Sequence, residues 1–599
     1  MLDLLSFVPK ARLQPGVALS PDATMVAYSY NPAHQFGLWI APVSGGEPRC
    51  MVEFPDQAVR QAGWSPDGKS LVFTADRNGD EQYQIYRIPV TGGQPERLTT
   101  ADGRQHTLAA EPYDPTGRYL IYAANDRDPS VQDLIIRDLQ DGTERRHIPA
   151  EKAFYKPVGT SPDGRWVLAE SFSANIDSDC YLLDLLTPGA EPVRVTDGSA
   201  HFDPVCWAPD STGFYLLTTA WGEYVAGARY SLQDGTLRPV ISADWDVETL
   251  REAGETMVWT LNENGRSVLH LRRGQAQPTS LPLSSGVIRA LDLSRDGTVA
   301  AIQLETATRP PEIAVLELAS GALTYLTDTR PPALSVIEPI EPQTVAFSAR
   351  DGRSVHGLLY RPHGTGPFPA IMWIHGGPEN QERFTYERSG LYQYLLNHGV
   401  AVYGPNVAGS TGYGMTSRTQ LYRDWGGIDL RDFEDAAAYL GSLPWIDPGR
   451  LAVAGASYGG FAALSCLTRL PHLWSAGVSF CGPSNLVTLA TACPPTWRTF
   501  VNTVLGDPHD ETDAERLRRC SPITYVDQLT APLLVIQGAR DPRVPKQESD
   551  QIVARLRSRG VDVRYNVYDD EGHGFTNRDN EITAYADIAD FLVTHLKRR

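Results

Sequence analysis

A serine flanked by glycines follows an apolar segment in the C-terminal half of the sequence. Residues 455–459 read Gly-Ala-Ser-Tyr-Gly, after the apolar residues 451–454 and before a stretch of small residues suited to a helix. This G-x-S-x-G pattern between a strand and a helix is typical of a nucleophile elbow, where glycines permit a sharp turn that lifts the serine Oγ above the sheet edge. We therefore predict Ser457 as a nucleophile, with an ordinary Gly/Ser turn as the alternative.

A serine nucleophile needs a base, and the base needs an acid that orients it. In folds with this elbow the chain order is serine, acid, histidine. Asp541 follows the apolar residues 533–537, and His573 stands between two glycines after the last apolar run, 563–568. Both residues lie where strands are expected to end. We predict Asp541 as the orienting acid and His573 as the base.

Three further acids near the histidine compete for the role of orienting acid. They are Asp569, Asp570 and Glu571. They precede His573 by two to four residues, and a side chain so close in sequence rarely reaches back to Nδ1. We expect these three acids to be solvated loop charges.

Backbone N–H groups are expected to stabilise the oxyanion that such a serine would generate. One should come from the residue after the nucleophile, Tyr458, and the other from the loop after an early strand. Paired glycines in His375-Gly376-Gly377-Pro378 would let the backbone approach a substrate oxygen closely, and we choose Gly377. No H-E-x-x-H pattern or nearby carboxylate accompanies His375, so we expect that histidine to brace the loop.

The sequence predicts neither a metal nor a cofactor. Residues 409–414, Gly-Ser-Thr-Gly-Tyr-Gly, are rich in glycine but match neither G-x-G-x-x-G nor a Walker loop. A nucleotide is therefore not expected, and a serine mechanism of this kind needs no metal. Chelators should leave activity unchanged.

The residues just described sit in a segment where apolar runs alternate with helix-like stretches. The apolar runs are 370–374, 400–404, 451–455, 476–480, 533–537 and 563–568. Alternation of strands and helices predicts a doubly wound α/β domain with a mostly parallel sheet, here over residues 343–599. Ligands of such sheets bind outside the carboxyl ends of the strands, which is where the candidate residues fall.

The N-terminal half repeats itself. Turn clusters such as Ser65-Pro66-Asp67-Gly68 and Ser161-Pro162-Asp163-Gly164 occur seven times, 41 to 49 residues apart, and each is followed by short apolar or alternating runs. Several strands per unit at a fixed spacing predict a seven-bladed β-propeller over residues 8–330. A pair of β-sandwiches is the alternative. We expect residues 331–342, which are rich in proline, to be a linker and residues 1–7 to be an extension that packs on the C-terminal domain.

Length and charge narrow the classes of protein to consider. The chain has 599 residues, which predicts at least two domains, and a formal net charge of −19, which argues against nucleic acid or an anionic membrane as partner. No apolar run is long enough to span a bilayer, and the first residues do not resemble a secretory signal. Seven cysteines form no C-x-x-C pair, so we expect free thiols and a cytoplasmic location.

Five motifs in order give the sequence a family resemblance: H-G-G-P, G-S-T-G-Y-G, G-x-S-x-G, D-x-R-V-P and E-G-H-G-F. A propeller followed by an α/β-hydrolase domain with these motifs resembles the prolyl oligopeptidase family of serine peptidases. The H-G-G-P motif is most similar to that of acylaminoacyl peptidases and their bacterial relatives. The resemblance implies hydrolysis of short peptides through an acyl-enzyme, and implies that Arg543 holds the carbonyl of the second substrate residue on the acyl side. Relatives usually have arginine at the position of Ala408.

Several activities stay open on the sequence alone. Within the family these are acylaminoacyl peptidase, oligopeptidase and carboxypeptidase, and outside it a carboxylesterase or a non-catalytic propeller interaction protein. The dipeptidyl peptidases of the family bind a free amino terminus through a Glu-Glu pair in the propeller. The sequence contains no Glu-Glu dipeptide, which argues against that activity.

A specificity pocket near Ser457 should have apolar walls. The candidates lie on or after predicted strand ends, and each could equally be ordinary core: Phe480, Trp497, Phe500 and Val544. Assembly state is not readable from the sequence, although relatives are often homo-oligomers.

Overall fold

A ring of seven antiparallel sheets makes up the N-terminal half of the protein. The computed structural model describes residues 2–149, 154–174, 177–198 and 200–597. Each sheet has four strands in chain order, except the first, which has a fifth short strand. The first strands of successive blades lie next to each other, as expected around a propeller axis. The predicted seven-bladed propeller is confirmed.

The strands of each blade are consecutive in the sequence. Blade 1 has Arg12–Leu13, Ala18–Leu19, Met25–Asn31, Gly37–Pro42 and Arg49–Val52, and blade 2 has Gln57–Trp64, Ser70–Arg77, Gln84–Pro89 and Glu96–Arg97. Blade 3 has His106–Tyr113, Tyr119–Ala124, Asp133–Asp138 and Glu144–His147, and blade 4 has Phe154–Thr160, Trp166–Ala174, Asp177–Asp184 and Val193–Arg194. Blade 5 has Phe202–Trp207, Gly213–Thr218, Ala226–Ser231 and Leu237–Ile241. Blade 6 has Val247–Ala253, Thr256–Glu263, Arg266–Arg273 and Thr279–Ser280, and blade 7 has Gly286–Leu293, Val299–Thr306, Arg309–Glu317 and Leu323–Tyr325.

The repeated turn clusters join the first and second strands of the blades. In blade 2 the Ser65 hydroxyl donates to the Asp67 carboxylate at 2.7 Å and accepts from the Ser70 N–H at 3.0 Å. Gly68 has a φ of +69°, which favours glycine at the end of the turn. The same serine-to-aspartate contact recurs in blades 1, 4 and 7. Local side-chain hydrogen bonds thus explain why the cluster repeats.

Side-chain packing, and not a shared strand, closes the ring between blades 1 and 7. The sheet of blade 1 consists of strands from the start of the propeller sequence, and the sheet of blade 7 consists of strands from its end. Apolar side chains meet across the seam, including Tyr28 and Ile313. The Leu19 N–H donates to the carboxylate of Asp292 at 2.7 Å.

The C-terminal half forms the α/β domain predicted from the sequence. Its eight strands are β1 Gln343–Ser348, β2 Ser354–Tyr360, β3 Phe368–Ile374, β4 Ala401–Asn406, β5 Ile446–Ala456, β6 Ala476–Phe480, β7 Leu533–Gly538 and β8 Val563–Tyr568. They pair in the order β1-β2-β4-β3-β5-β6-β7-β8. The β1-β2 and β2-β4 pairs are antiparallel, and the other pairs, including β4-β3, are parallel. All six predicted apolar runs are strands of the parallel part.

Helices cover both faces of this sheet. They are α1 Leu391–Asn397, α2 Met415–Thr419, α3 Ile428–Ser442, α4 Tyr458–Arg469, α5 Leu486–Ala492, α6 Arg498–Val504, α7 Glu511–Cys520, α8 Gln547–Ser558 and α9 Arg578–Lys597. Short 3-10 helices occur at Leu4–Phe7, Pro332–Ser335, Pro471–Leu473, Pro495–Trp497 and Pro522–Gln528. In the described part of the chain, none of the helices is long and apolar enough to cross a membrane.

The first residues of the chain pack on the α/β domain before the chain enters the propeller. The Leu4–Phe7 turn contacts α1 and α9, and the Phe7 ring is fully buried with its edge against Tyr394. The Phe7 carbonyl accepts a hydrogen bond from the Tyr386 hydroxyl at 2.8 Å. The propeller is thus attached to the α/β domain at both of its chain ends.

Replacing Phe7 should weaken this attachment. Phe7→Ala removes a fully buried ring and leaves a cavity, which typically costs about 3–5 kcal/mol. We expect a lower thermal unfolding midpoint in scanning calorimetry. Leu5→Ala is the matched control, because Leu5 is more than half exposed and should change stability by less than about 0.5 kcal/mol. Equal midpoints for Phe7→Ala and the parent protein would contradict the anchoring role.

Candidate active site

Ser457 occupies the sharp turn between β5 and α4. Its backbone has φ +59° and ψ −120°, a conformation that non-glycine residues rarely adopt and that the surrounding chain must enforce. A Cβ at Gly459 would lie 2.1 Å from the Ile374 carbonyl oxygen, and one at Gly455 would lie 2.5 Å from the Gly459 carbonyl carbon. Both flanking glycines are therefore required by close packing of backbone on backbone.

The three predicted triad residues meet at the carboxyl ends of their strands. His573 Nε2 lies 2.9 Å from Ser457 Oγ, and His573 Nδ1 lies 2.7 Å from Asp541 Oδ2. A carboxylate only accepts hydrogen bonds, so Nδ1 carries the proton and the Nε2 lone pair faces the serine hydroxyl. This tautomer is the one that a general base needs.

The orienting acid is itself held in place by backbone. Asp541 Oδ1 accepts from the N–H groups of Arg543 at 2.8 Å and Val544 at 2.9 Å. The Asp541 side chain is fully buried and that of His573 is nearly so. The short turn after β7 thus fixes one carboxylate oxygen and presents the other to the histidine.

The two predicted oxyanion donors flank the nucleophile. Tyr458 is the first residue of α4, and an N–H in the first turn of a helix has no partner within that helix. On the other side, a Cβ at Gly376 would lie 3.6 Å from the Ser457 Cβ, so the H-G-G-P loop runs beside the serine. Gly377 follows with φ +131°, a conformation reserved for glycine.

Buried side chains brace Tyr458 and the H-G-G-P loop. The Tyr458 hydroxyl donates to Asp429 Oδ2 at 2.7 Å, and burial raises the pKa of Asp429 to about 6. His375 is buried with Nε2 at 3.0 Å from the Ser410 hydroxyl and Nδ1 at 2.9 Å from the Gly376 carbonyl oxygen. Burial lowers the pKa of His375, which favours a neutral ring. The expectation that His375 braces its loop agrees with these contacts.

The prediction that Glu571 is a solvated loop charge is wrong. Glu571 is almost fully buried and folds back onto the histidine loop, residues 571–577. Its carboxylate accepts from the N–H groups of Thr576 at 2.8 Å and Asn577 at 3.1 Å and from the Asn580 side chain at 2.8 Å. The sequence contains three adjacent acids, Asp569, Asp570 and Glu571. It does not indicate which of their carboxylates accepts hydrogen bonds from the N–H groups of the loop.

The propeller also contacts the histidine loop. Arg12, at the start of blade 1, donates to the carbonyl oxygens of Phe575 at 3.1 Å and Thr576 at 2.9 Å. From blade 2, Gly79 packs so closely that a Cβ at Gly572 would lie 2.4 Å from the Gly79 carbonyl oxygen. Segments of the other domain therefore hold the loop that carries His573.

A glutamate of the propeller reaches the site and was not predicted from the sequence. Glu81 Oε1 accepts from Arg543 Nε and Nη2, both at 2.8 Å. The loop that carries Glu81 is fixed from behind, because Arg60 pairs with buried Asp76 at 2.6 Å and Asp76 accepts from the Glu81 N–H at 3.3 Å. The Asn78-Gly79 turn signals a loop in the sequence, but nothing local indicates that this loop ends beside Arg543.

A cavity of about 920 Å³ lies between the propeller and the α/β domain. His573, Arg543 and Glu81 line it, together with residues from the first strands of several blades. The cavity wall is mostly polar. A substrate reaching His573 from this side would lie between the two domains.

The four residues predicted to line a specificity pocket differ in their contacts and in their burial. The Arg543 guanidinium lies over the Trp497 ring, 5.2 Å from its centre. Phe480 is buried and stacks on Phe575 with ring centres 5.2 Å apart. Val544 is buried in the main core cluster, and Phe500 packs partly buried against the same cluster. Among the described residues, Trp497 is the one of these four whose ring packs against the Arg543 guanidinium.

The glycine-rich residues 409–414 form a contact with the propeller. A Cβ at Gly412, where φ is +85°, would lie 2.9 Å from the Asn262 side-chain nitrogen. The Tyr413 hydroxyl donates to the side-chain Oδ1 of Asn264 at 3.0 Å. Close approach of the two domains thus explains Gly412 and Gly414, whereas Gly409 packs against Leu421 of its own domain.

One cysteine lies beside Asp541 and His573. Cys481 follows β6, and its Sγ lies within 4.8 Å of ligand atoms of Asp541 and His573. The thiol is buried, and burial raises its pKa well above the ordinary value, which keeps it protonated. All seven cysteines are free thiols, as predicted.

Known proteins resemble this chain over its whole length. Residues 387–599 match the model of the prolyl oligopeptidase family. Dipeptidyl aminopeptidase BIII of Pseudoxanthomonas mexicana is 27% identical over 97% of this chain and 87% of its own length. The acylamino-acid-releasing enzyme of Arabidopsis thaliana is 27% identical over 37% of this chain and 29% of its own length.

The fold comparison agrees with the sequence comparison. The crystal structure of a puromycin hydrolase superposes with a TM-score of 0.84 at 20% identity, and the match covers 100% of this chain and 96% of that one. The resemblance inferred from the five motifs is confirmed. Residues 387–599 thus match the prolyl oligopeptidase family of serine peptidases, and the chain as a whole is similar to proteins named as peptidases.

Proposed function

We propose that the protein is a dipeptidyl aminopeptidase that removes residues in pairs from the free amino terminus of short peptides. The observation that carries this proposal is the carboxylate of Glu81, held by the propeller loop at 2.8 Å from Arg543 beside the triad. A relative that matches 97% of the chain bears the name dipeptidyl aminopeptidase. Acylaminoacyl peptidase and oligopeptidase, which the sequence favoured, become the alternatives.

The argument against dipeptidyl peptidases rested on the missing Glu-Glu pair and does not hold. A single carboxylate is enough to pair with an ammonium group if it is fixed at the right distance from the nucleophile. Both Arg543 contacts fall on Glu81 Oε1, and a carboxylate has about four acceptor positions. In this proposal the substrate ammonium binds Glu81, and Arg543 donates to the carbonyl between the two substrate residues.

The catalytic steps follow from the triad geometry. Ser457 Oγ attacks the scissile carbonyl carbon while His573 Nε2 takes the hydroxyl proton. The N–H groups of Tyr458 and Gly377 stabilise the oxyanion. His573 then gives the proton to the leaving amine, and a water activated in the same way hydrolyses the acyl-enzyme. Asp541 stabilises the imidazolium at each stage.

Cavity size supports short peptides as substrates. A volume of about 920 Å³ is close to the upper end of ordinary ligand sites, roughly 300–1,000 Å³. Such a space accommodates a few residues and excludes a folded domain. The cytoplasmic location and the homo-oligomer considered from the sequence stay predictions.

Ser457→Ala should remove catalysis without unfolding the protein. Loss of the nucleophile of a triad lowers kcat by about 10⁶-fold in a well-studied serine protease, and we expect a loss of at least about 10⁴-fold here. A fluorophosphonate probe should label the parent protein once and the variant not at all. The circular dichroism spectrum of the variant provides the control for folding. Labelling that survives in Ser457→Ala would contradict the assignment.

Glu81→Gln tests the proposed amino-terminal site. Glutamine keeps an acceptor for Arg543 but removes the charge that would pair with an ammonium. A charge-assisted hydrogen bond is worth about 1.5–3 kcal/mol, so kcat/KM for a dipeptide amide with a free amino terminus should fall about ten- to 150-fold.

Two controls accompany this variant. The N-acetylated dipeptide amide should show little change between parent and Glu81→Gln, because it carries no ammonium. Glu96→Gln alters an exposed glutamate of the same blade that pairs with Arg87, and it should cleave both substrates like the parent. A parent protein that prefers the acetylated substrate would favour the acylaminoacyl peptidase instead.

The variant Arg543→Ala tests whether the site is that of a peptidase or that of an esterase. If Arg543 holds a substrate carbonyl, its removal should lower kcat/KM for dipeptide amides about ten- to 150-fold. Hydrolysis of p-nitrophenyl acetate, which lacks that carbonyl, should be spared. Measuring both substrates on one preparation controls for misfolding. Equal losses on both would remove Arg543 from substrate binding.

A further inference from the structure

Cys481 lies in a position that the proposed mechanism does not use. It directly follows β6 with a φ of +48°, and its N–H donates to the Ile536 carbonyl at 2.8 Å, so its backbone is fixed beside β7. Its side chain is almost fully buried. The Sγ atom, a carboxylate oxygen of Asp541 and a ring nitrogen of His573 all lie within 4.8 Å of one another.

These three donors are of the types that zinc binds in proteins. Zinc prefers thiolate, imidazole nitrogen and carboxylate oxygen, at about 2.0–2.3 Å from the metal, usually in tetrahedral geometry. Donor atoms around such an ion are then about 3–4 Å apart. The distance of 2.7 Å between His573 Nδ1 and Asp541 Oδ2 is shorter than this, and no two of the three donor atoms are more than 4.8 Å apart, so small side-chain rotations that separate Nδ1 from Oδ2 would admit an ion.

We infer that Cys481, Asp541 and His573 form an inhibitory site for zinc or a similar soft divalent cation. The ion would take the place of the Nδ1 proton between His573 and Asp541, with water as its fourth ligand. His573 lines the cavity between the domains, which gives a hydrated ion a route to the site.

Zinc at Nδ1 inhibits by fixing the wrong tautomer of the histidine. A neutral imidazole that binds a metal through Nδ1 carries its proton on Nε2. Nε2 lies 2.9 Å from Ser457 Oγ, so it would then donate to the serine and could not take its proton. The nucleophile stays in place while its base is lost.

Charge and proton balance are satisfied in this complex. The ring keeps one proton, which moves from Nδ1 to Nε2, and the thiol proton is released to solvent. Thiolate and carboxylate together neutralise the two positive charges of the ion. A neutral buried cluster avoids the desolvation penalty of an unpaired charge. No atom changes its oxidation state when the ion binds, and binding needs no further reactant.

The first experiment measures zinc inhibition as the ratio of the activity with zinc to the activity without zinc, separately for each variant. Every protein carries Cys50→Ser, because Cys50 is the exposed cysteine. In Cys481→Ala the zinc concentration for half-inhibition should rise at least about tenfold, since even partners outside the metal's ligand set alter affinity 10- to 100-fold. Cys466→Ala is the matched control, because Cys466 is a buried cysteine of α4 and should leave the zinc response unchanged. EDTA should reverse the inhibition.

Metal binding is then measured without relying on activity. Cadmium bound to a thiolate gives an ultraviolet charge-transfer band, and Ser457→Ala should show this band with one cadmium per chain. The double variant Ser457→Ala with Cys481→Ser should lack it. The parent protein resisting zinc, Cys481→Ala remaining as sensitive as the parent, or Ser457→Ala showing no band would each overturn the inference. None of these outcomes bears on Glu81, so the proposed substrate preference is tested separately.

Discussion

The hydrogen bond between His573 Nδ1 and Asp541 Oδ2 can form only if the surrounding structure holds two loops in fixed positions. It joins loops that follow two adjacent parallel strands, and its 2.7 Å length leaves little tolerance for movement of either loop. Parallel pairing brings these strand ends to one edge of the sheet but does not fix the loops beyond it. The loops are fixed by other contacts, and those contacts come from a surprisingly wide range of the sequence.

Two kinds of contact supply this restraint. Within the α/β domain, backbone N–H groups hold Asp541, and the buried carboxylate of Glu571 holds the loop of His573. From the propeller, Arg12 and Gly79 contact the same loop. The propeller therefore supports the loop that carries His573 and also covers the cavity.

The sequence predicted those features that depend on local pattern. The turn clusters, the six parallel strands and the G-x-S-x-G elbow are each encoded within a few neighbouring residues, and the triad followed from their order along the chain. The pairing of Glu81 with Arg543 joins residues 462 positions apart, and no local pattern predicts it. Glu571 was misjudged for a related reason: its burial depends on how the loop folds back, and Asp569 and Asp570 beside it carry the same charge.

The seam between blades 1 and 7 is the place where the two ends of the propeller sequence meet. Apolar packing closes the ring there, and the hydrophobic contribution to such packing weakens on cooling, unlike the hydrogen bonds of a shared strand. Arg12 lies in the blade 1 strand next to this seam and donates to the histidine loop. The same strand therefore takes part both in closing the ring and in holding the loop that carries His573.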